Sequence, residues 1–373
     1  MADVIRAVAQ ALCALTIVAT VLPVAFPRAR AWWIRVLDFP RVQVAAVGAV
    51  GLLVLSAVGA GSGPALLLPA LAAAAVLYQV VRIWRYTPLA PREVERSHAG
   101  DPEQRISIVV ANVLQDNRDA RSVLRALREA DPTLVLCLEA DDWWREQLDR
   151  LAESHPHAIR RPQPNTYGML LYSQLPIDDA SVEFLIEDDV PSMHATVRLA
   201  SGARVRVHCL HPRPPVPGES GSSAERDAEL IVVARRVQHA ETPVIVCGDL
   251  NDVAWSRTTR LFQKLSRLVD PRKGRGFFGT FHARYPFLRF PLDHVFHSTD
   301  FRLVEMRLLP YVGSDHFPVF VELSLEPEAA LAQEAPEREA GDEAEARETV
   351  ALARERAEAV MAVLARSARS PAP

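Results

Sequence analysis

Cysteine is scarce in this chain, with four among 373 residues at positions 13, 137, 209 and 247. A Cys-rich metal site is one reading of the three later thiols, but no pair has the C-x-x-C spacing that such a site uses. Each thiol lies in an apolar run, where free cysteine packs as a small hydrophobe and needs no disulfide. A charge surplus of either sign is also missing. The net charge is −4, and residues 105–325 hold 27 basic against 29 acidic side chains. A strong nucleic-acid binder carries a basic excess on at least one face, so composition lends that class no support.

What the chain has in plenty is apolar sequence near its N-terminus. Runs at 7–26, 42–60 and 65–81 each approach the ~20 residues that a helix needs to cross ~30 Å of hydrocarbon. The first is longer than a signal-peptide core and two more follow it, so it reads as a span rather than a cleaved leader. Arg28, Arg30, Arg35 and Arg41 lie between the first two runs, and Arg82, Arg85, Arg92 and Arg96 follow the third. The opposite side carries only Arg6 and an uncharged hairpin. Retention of arginine on the cytoplasmic side therefore places the N-terminus outside and the C-terminal part in the cytoplasm. Trp32, Trp33, Trp84 and Tyr86 fall where aromatic rings favour the inner interface. The expectation is a multi-pass protein of the cell membrane with an anchor over 1–86.

Residues 87–104, with Pro88, Pro91, Gly100 and Pro102, read as a linker. From 105 to 325 short β-rich runs alternate with helical patterns, as in buried strands interleaved with helices: ISIVVANV, an amphipathic stretch over 118–130, TLVLCLE, then VRVHCLH, a helix-like 224–240 and PVIVCGDL. Residues 326–373 form an Ala/Glu/Arg-rich tail with 11 acidic and 6 basic residues. Its composition predicts disorder over 328–348 and a marginal amphipathic helix over 349–366.

Polar residues end the apolar runs and so stand at a sheet's rim. Asn112 ends ISIVVAN, Glu139 ends TLVLCLE, His211 ends VRVHCLH, and Asp249 ends PVIVCGD with Asn251 two residues on. Any one of them alone is equally a strand terminator or a helix cap. Four in succession, followed by Leu292-Asp293-His294 and Ser314-Asp315-His316, are far more restrictive. His208 and His294 read as packing or supporting residues.

This ordered set, with Gly248-Asp249-Leu250-Asn251 and the terminal Ser-Asp-His as its strongest parts, resembles the endonuclease/exonuclease/phosphatase superfamily over about three fifths of the chain. The resemblance implies a two-sheet α/β sandwich with the site at the sheet edges, preceded here by three transmembrane helices. It implies a hydrolase of phosphate esters in which water attacks phosphorus, with Mg²⁺ or Mn²⁺ as cofactor. Glu139 is then the principal metal ligand, joined by Asn112 and, less firmly, Asp315. Asp249 orients or deprotonates the attacking water or helps bind a second metal, Asn251 donates to a phosphate oxygen, and His316 contacts the phosphoryl group or acts as base with Asp293 holding its ring. His211 contacts phosphate or protonates the leaving group. A carboxylate/amide-rich donor set suits a hard cation better than zinc.

Two departures bear on the substrate. Val-Leu-Gln-Asp-Asn follows Asn112, so the acidic residue two positions on that some DNA-repair members carry is absent, although Asp116 or Asn117 could reach the metal from the next turn. Near the motifs, the Pro/Gly-rich 212–223 loop and the basic Arg272, Lys273 and Arg275 beside Phe277 and Phe278 are either grips for a phosphate backbone or headgroup, or solvated turns. Nucleic acid, phospholipid and inositol phosphate all remain open as substrates. A silent scaffold on the same fold is the alternative, but binding alone has no chemical need for Glu139, Asp249 and His316 together.

Overall fold

The computed structural model describes residues 1–60, 62–98 and 100–367, and the chain divides into two compact units. Unit one comprises Met1–Pro91 with the short segments Pro215–Ser223 and Lys273–Phe277. It holds α1 (Ala2–Ala25), the one-turn α2 (Trp32–Arg35), α3 (Arg41–Val58) and α4 (Leu67–Ile83). Three helical stretches, Ala2–Ala25, Arg41–Val58 and Gly63–Tyr86, are long and apolar enough to cross a membrane, with mean hydropathies of 2.1, 1.9 and 1.9. They share a small core of Ala9, Cys13, Leu55 and Ala72. One polar line ties them together: Arg41 donates to Gln79 Oε1 (2.8 Å) and Gln79 Nε2 donates to Thr20 Oγ1 (2.9 Å). Polar groups inside an apolar bundle must find such partners, which fixes the helices' register. Arg41 also pairs with Asp38, and Arg35 lies 3.5 Å from the same carboxylate, so two of the arginines between the first two spans are buried in this unit.

Unit two contains two sheets. The first has the order β10-β11-β1-β2-β4-β3 and the second β5-β6-β7-β8-β9. In chain order the strands are β1 (Arg105–Asn112), β2 (Leu134–Leu138), β3 (His157–Arg161), β4 (Met169–Ser173), β5 (Ile177–Glu183), β6 (Ser192–Arg198), β7 (Arg204–Leu210), β8 (Val244–Asp249), β9 (Asp293–His297), β10 (Phe301–Leu308) and β11 (Val319–Leu325). Among the described strands, only β1 with β2 and β7 with β8 run parallel. Each parallel pair needs a crossover helix, supplied by α5 (Ala120–Ala130) and α7 (Ala224–Val237). Alternate residues such as Ile108, Val110, Leu136 and Leu138 of one sheet meet Val207, Cys209, Ile245 and Cys247 of the other in the inter-sheet core. The opposite faces are covered by α5 and α6 (Asp142–Leu148) on the first sheet, and by α7, α8 (Arg257–Ser266) and α9 (Asp342–Ser367) on the second. All four cysteines are free and buried.

Two stretches differ from their sequence reading. Within 87–104, Val94 is fully buried in the inter-sheet core, Ser97 N–H donates to Leu303 C=O (2.9 Å), and Asp270 N–H donates to Glu93 Oε2 (2.8 Å). The segment from Arg92 onward is thus part of unit two rather than a free linker. The tail is ordered earlier than its composition implies. Gln333 donates to the carbonyls of Thr299 (2.6 Å) and Phe301 (2.9 Å), and α9 starts at Asp342. Ala346, Val350 and Ala353 complete the core over α7 and α8, and Arg235–Glu343 and Arg257–Glu345 pair across the seam. A charged segment unable to form its own core is ordered because the second sheet's helices offer one.

Candidate active site

The parallel pairing sets the site's frame. In register, Asn112 lies opposite Leu138 and Leu210 opposite Gly248, so the residues at the ends of β1, β2, β7 and β8 emerge at one edge of the sandwich. Asp249 pairs directly with Asp293 across β8 and β9. Two glycines let the backbones approach. A Cβ on Gly248 would meet Leu210 O at 1.9 Å and one on Gly168 would meet Ala140 O at 1.9 Å, and Gly248 also has φ +143°. Glu139 (φ +57°) and Asn251 (φ +50°) occupy left-handed conformations, which non-glycine residues hold only where surrounding contacts over-determine them and which recur at functional sites.

The side chains form one continuous network. Asn112 Nδ2 donates to Glu139 Oε1 (2.7 Å) and to Asp249 Oδ2 (3.3 Å). His316 Nε2 is 3.6 Å and His211 Nε2 3.9 Å from the same Asp249 oxygen. His316 Nδ1 is 2.7 Å from Asp293 Oδ2. Asp249 Oδ1 accepts the Asn251 N–H (2.9 Å). Six expected residues, Asn112, Glu139, His211, Asp249, Asp293 and His316, are therefore drawn together directly. Asn251 joins through its backbone, and its side-chain amide donates to Pro212 C=O (2.9 Å). Asp315 stands aside from these bonds: its carboxylate receives the Ser314 hydroxyl (3.4 Å), and its carbonyl the Ala283 N–H (2.6 Å). Asn117 is committed elsewhere, its amide donating to Val113 C=O and Val312 C=O (3.1 Å each).

The electrostatics sort these groups. Burial alone would lower the His316 pKa, but Asp293 first, then Asp249, raise it to about 10, so the ring is an imidazolium at neutral pH. Burial holds the Glu139 carboxyl above its ordinary range against the opposing pull of His211 and the Asn112 amide. Glu139 and Asp249 both turn an oxygen to the single Asn112 amide, a donor standing where positive charge is called for. Among the described residues, Asp293 Oδ1 and His211 Nδ1 are buried without a hydrogen-bond partner. Ligand atoms of Asp249, Asp293 and His316 lie within 4.8 Å of one another. As residue types, the Glu139 carboxylate and the Asn112 amide, with Asp249 nearby, suit a hard divalent cation better than a soft one. Asn112 turns its oxygen to the Leu114 N–H (3.0 Å), so ligation through that oxygen requires its amide to rotate.

A supporting ring went unread in the sequence. Arg226, 2% exposed, donates to Asn251 C=O (2.7 Å) and pairs with Asp227 (2.8 Å). Thr280 Oγ1 accepts the Asp293 N–H (3.3 Å). Arg272 belongs here as well, and its burial overturns for this residue both readings of its loop, as a basic grip and as a solvated turn. It is 1% exposed, paired with Asp270 (2.8 Å), and donates to Asp293 C=O (3.3 Å) and His294 Nδ1 (2.6 Å). His294 bridges onward to Asp252 C=O (2.8 Å). His208 sits within β7, against His194 at 2.7 Å between Nδ1 atoms.

Two sheets packed face to face with helices outside, and an acid–amide–histidine network at their strand ends, define an α/β-sandwich phosphoester-hydrolase fold. The chain belongs to the Endonuclease/Exonuclease/phosphatase family, whose profile matches residues 109–316. Among solved structures, an endonuclease/exonuclease/phosphatase family protein from Bacteroides thetaiotaomicron is similar at a TM-score of 0.51 and 16% identity, covering 61% of this chain and 100% of that one. D. rerio TDP2 complexed with a single strand DNA product is similar at 0.50 and 17% identity, covering 59% and 99%. At these identities the likeness shows the fold. No curated protein matches the chain.

Proposed function

We propose that the chain is a membrane-anchored hydrolase of phosphate esters that works with Mg²⁺ or Mn²⁺. The observation that supports this best is the path Glu139–Asn112–Asp249–His316–Asp293, two carboxylates sharing one amide donor beside a buried imidazole held by Asp293. A divalent cation held by Glu139 and Asn112 would offset phosphoryl charge and acidify water. Asp315 is the nearby carboxylate left for ordering water. His316, charged and fixed by Asp293, contacts a phosphoryl oxygen as negative charge grows there. Asp249 orients and deprotonates the attacking water, and Asn251 donates its remaining amide hydrogen to the phosphate. His211, with an unpartnered Nδ1, serves the phosphate or the leaving oxygen.

In this reading 1–86 is the anchor and the unit from Arg92 onward, with α9 packed on it, the catalytic domain, and the arginine distribution keeps that domain in the cytoplasm. The substrate class is a phosphodiester or phosphomonoester of nucleic acid, phospholipid or inositol phosphate. TDP2 in its structure holds a single strand DNA product, which is a property of that protein. The purified full chain in detergent should hydrolyse bis-(p-nitrophenyl) phosphate with Mg²⁺ or Mn²⁺ and stop in EDTA. Equal rates with and without metal would refute the reading. The exposed Glu153→Cys should resist an impermeant maleimide in intact cells, and efficient labelling would reverse the topology.

A further inference from the structure

Unit two gathers exposed apolar side chains on one side of the candidate site. Between Thr280 and Asp293 the chain presents Tyr285, Phe287 and Leu288 at 56%, 86% and 50% exposure, and Tyr311, at 46%, stands four residues before Asp315. This loop is fastened to the site. The Phe281 and His316 rings are 5.0 Å apart, Ala283 N–H donates to Asp315 C=O (2.6 Å), and Arg284 donates to Tyr311 Oη (3.0 Å). Tyr311 also lines a cavity of about 190 Å³ with Ser122, Arg125 and Glu129 of α5.

Beyond that cavity α5 carries an arginine stripe. Arg121, Arg125 and Arg128 are exposed, and spacings of four and three residues put them on one helix face. None forms an ion pair or side-chain hydrogen bond among the described residues. With Arg150 and Trp143 they line a groove of about 910 Å³. Two carboxylates stand there, Asp119, which caps α5 through the Ser122 N–H (3.1 Å) and also faces Arg121 and Arg125 electrostatically, and Glu129; against them are five arginines, of which Arg118 is paired with Asp141. The aromatic loop and the stripe make one continuous basic and aromatic surface leading away from His316.

We infer that this surface docks on an anionic lipid bilayer, with its rings at headgroup level and its arginines on lipid phosphates, an inference that rests on the anchoring proposed above. Magnitude selects this occupant. Each arginine near an anionic membrane contributes roughly fivefold, so three supply on the order of 100-fold. For a freely diffusing polyanion that gives a dissociation constant on the order of 10 mM, too weak to matter. For a domain already tethered to the bilayer the same factor decides orientation. Docking in this way brings a lipid-borne phosphoester to the rim of the site, and makes a lipid-linked substrate the natural one.

The full chain, carrying Leu288→Cys with an environment-sensitive fluorophore, is placed in nanodiscs of phosphatidylcholine with or without phosphatidylglycerol; the native thiols are buried. The expected result is blue-shifted emission, quenched by spin-labelled lipid, only with phosphatidylglycerol. Neutralising Arg121, Arg125 and Arg128 to Gln should weaken the docking equilibrium by about 100-fold and leave turnover of soluble bis-(p-nitrophenyl) phosphate unchanged. Water-like emission in both discs from a chain that stays in them overturns the docking. A response to oligothymidylate in place of phosphatidylglycerol also overturns it, in favour of a nucleic-acid face. A chain that fails to enter the discs overturns the anchoring instead.

Discussion

Replacing Asp293 with asparagine keeps the side chain's shape and removes the charge that holds His316. From an ordinary 6.5 the imidazole is raised to about 10, a preference for the imidazolium of about 5 kcal/mol. Three carboxylates supply it against the opposing effect of burial, with Asp293, at 2.7 Å, supplying the largest share. In the variant burial is poorly opposed, and the ring should lose its proton near neutrality. Because the imidazolium exists below the folded-state pKa, the wild type keeps it to about pH 10 and the variant does not. Turnover of bis-(p-nitrophenyl) phosphate by the full chain with saturating Mg²⁺ should fall ~100-fold or more at pH 8 with KM within about threefold, and the alkaline limb should move acidward by more than about one pH unit. Stability carries the same sign: the contribution is full below 6.5 and lost as pH rises through about 10, so the variant also melts lower at neutral pH. An unmoved alkaline limb with near-normal turnover would refute the assignment of His316 and Asp293.

Three further perturbations probe the frame. His194 and His208 are depressed by burial to about 4 and about 3, so their neutral forms stabilise the fold fully above pH 6.5. That contribution is lost as pH falls, at about 1.4 kcal/mol per pH unit for each. Thermal melts of His194→Gln/His208→Asn should show a shallower acid limb than wild type, and identical limbs would contradict the argument. Gly248→Ala places a Cβ 1.9 Å from Leu210 O at φ +143°, which displaces both His211 and Asp249; a cost of ~3 kcal/mol or more should appear in denaturant melts. Val350→Asp puts a charge into the core under α9 and should release that helix to limited proteolysis at ~3 kcal/mol, with the inter-sheet core left intact.

The strands that carry the site were legible because each is a buried apolar run cut off by a polar residue, and because parallel pairing turns that sequence pattern into a common edge. The crossover helices were legible through their periodicity, with α5 and α7 lying inside the stretches read as helical. Val94 was not, since one apolar residue among prolines and charges has no periodicity to reveal that it enters the core. The tail misled for a related reason. Its apolar face is narrow, and whether α9 forms depends on α7 and α8 offering Ala346, Val350 and Ala353 a place to pack.

Arginine was where one-dimensional reading reversed the roles. Asp270-Pro-Arg-Lys-Gly-Arg reads as a basic surface loop, because charged side chains are rarely fully buried unless paired. The partners that bury Arg272 include Asp293 and His294, some twenty residues away, and no local pattern announces them. On α5, Arg121, Arg125 and Arg128 look like the ordinary polar side of an amphipathic helix. Structure makes the loop arginine a brace for Asp293, fixed in a low-dielectric ion pair where breaking one partner leaves an uncompensated charge. Among the described residues the helix arginines form no ion pair, and they line the groove on α5. The cations available to an anionic partner are therefore those of α5, which the helical pattern had left as solvated surface, while the conspicuous one in the loop is part of the fold.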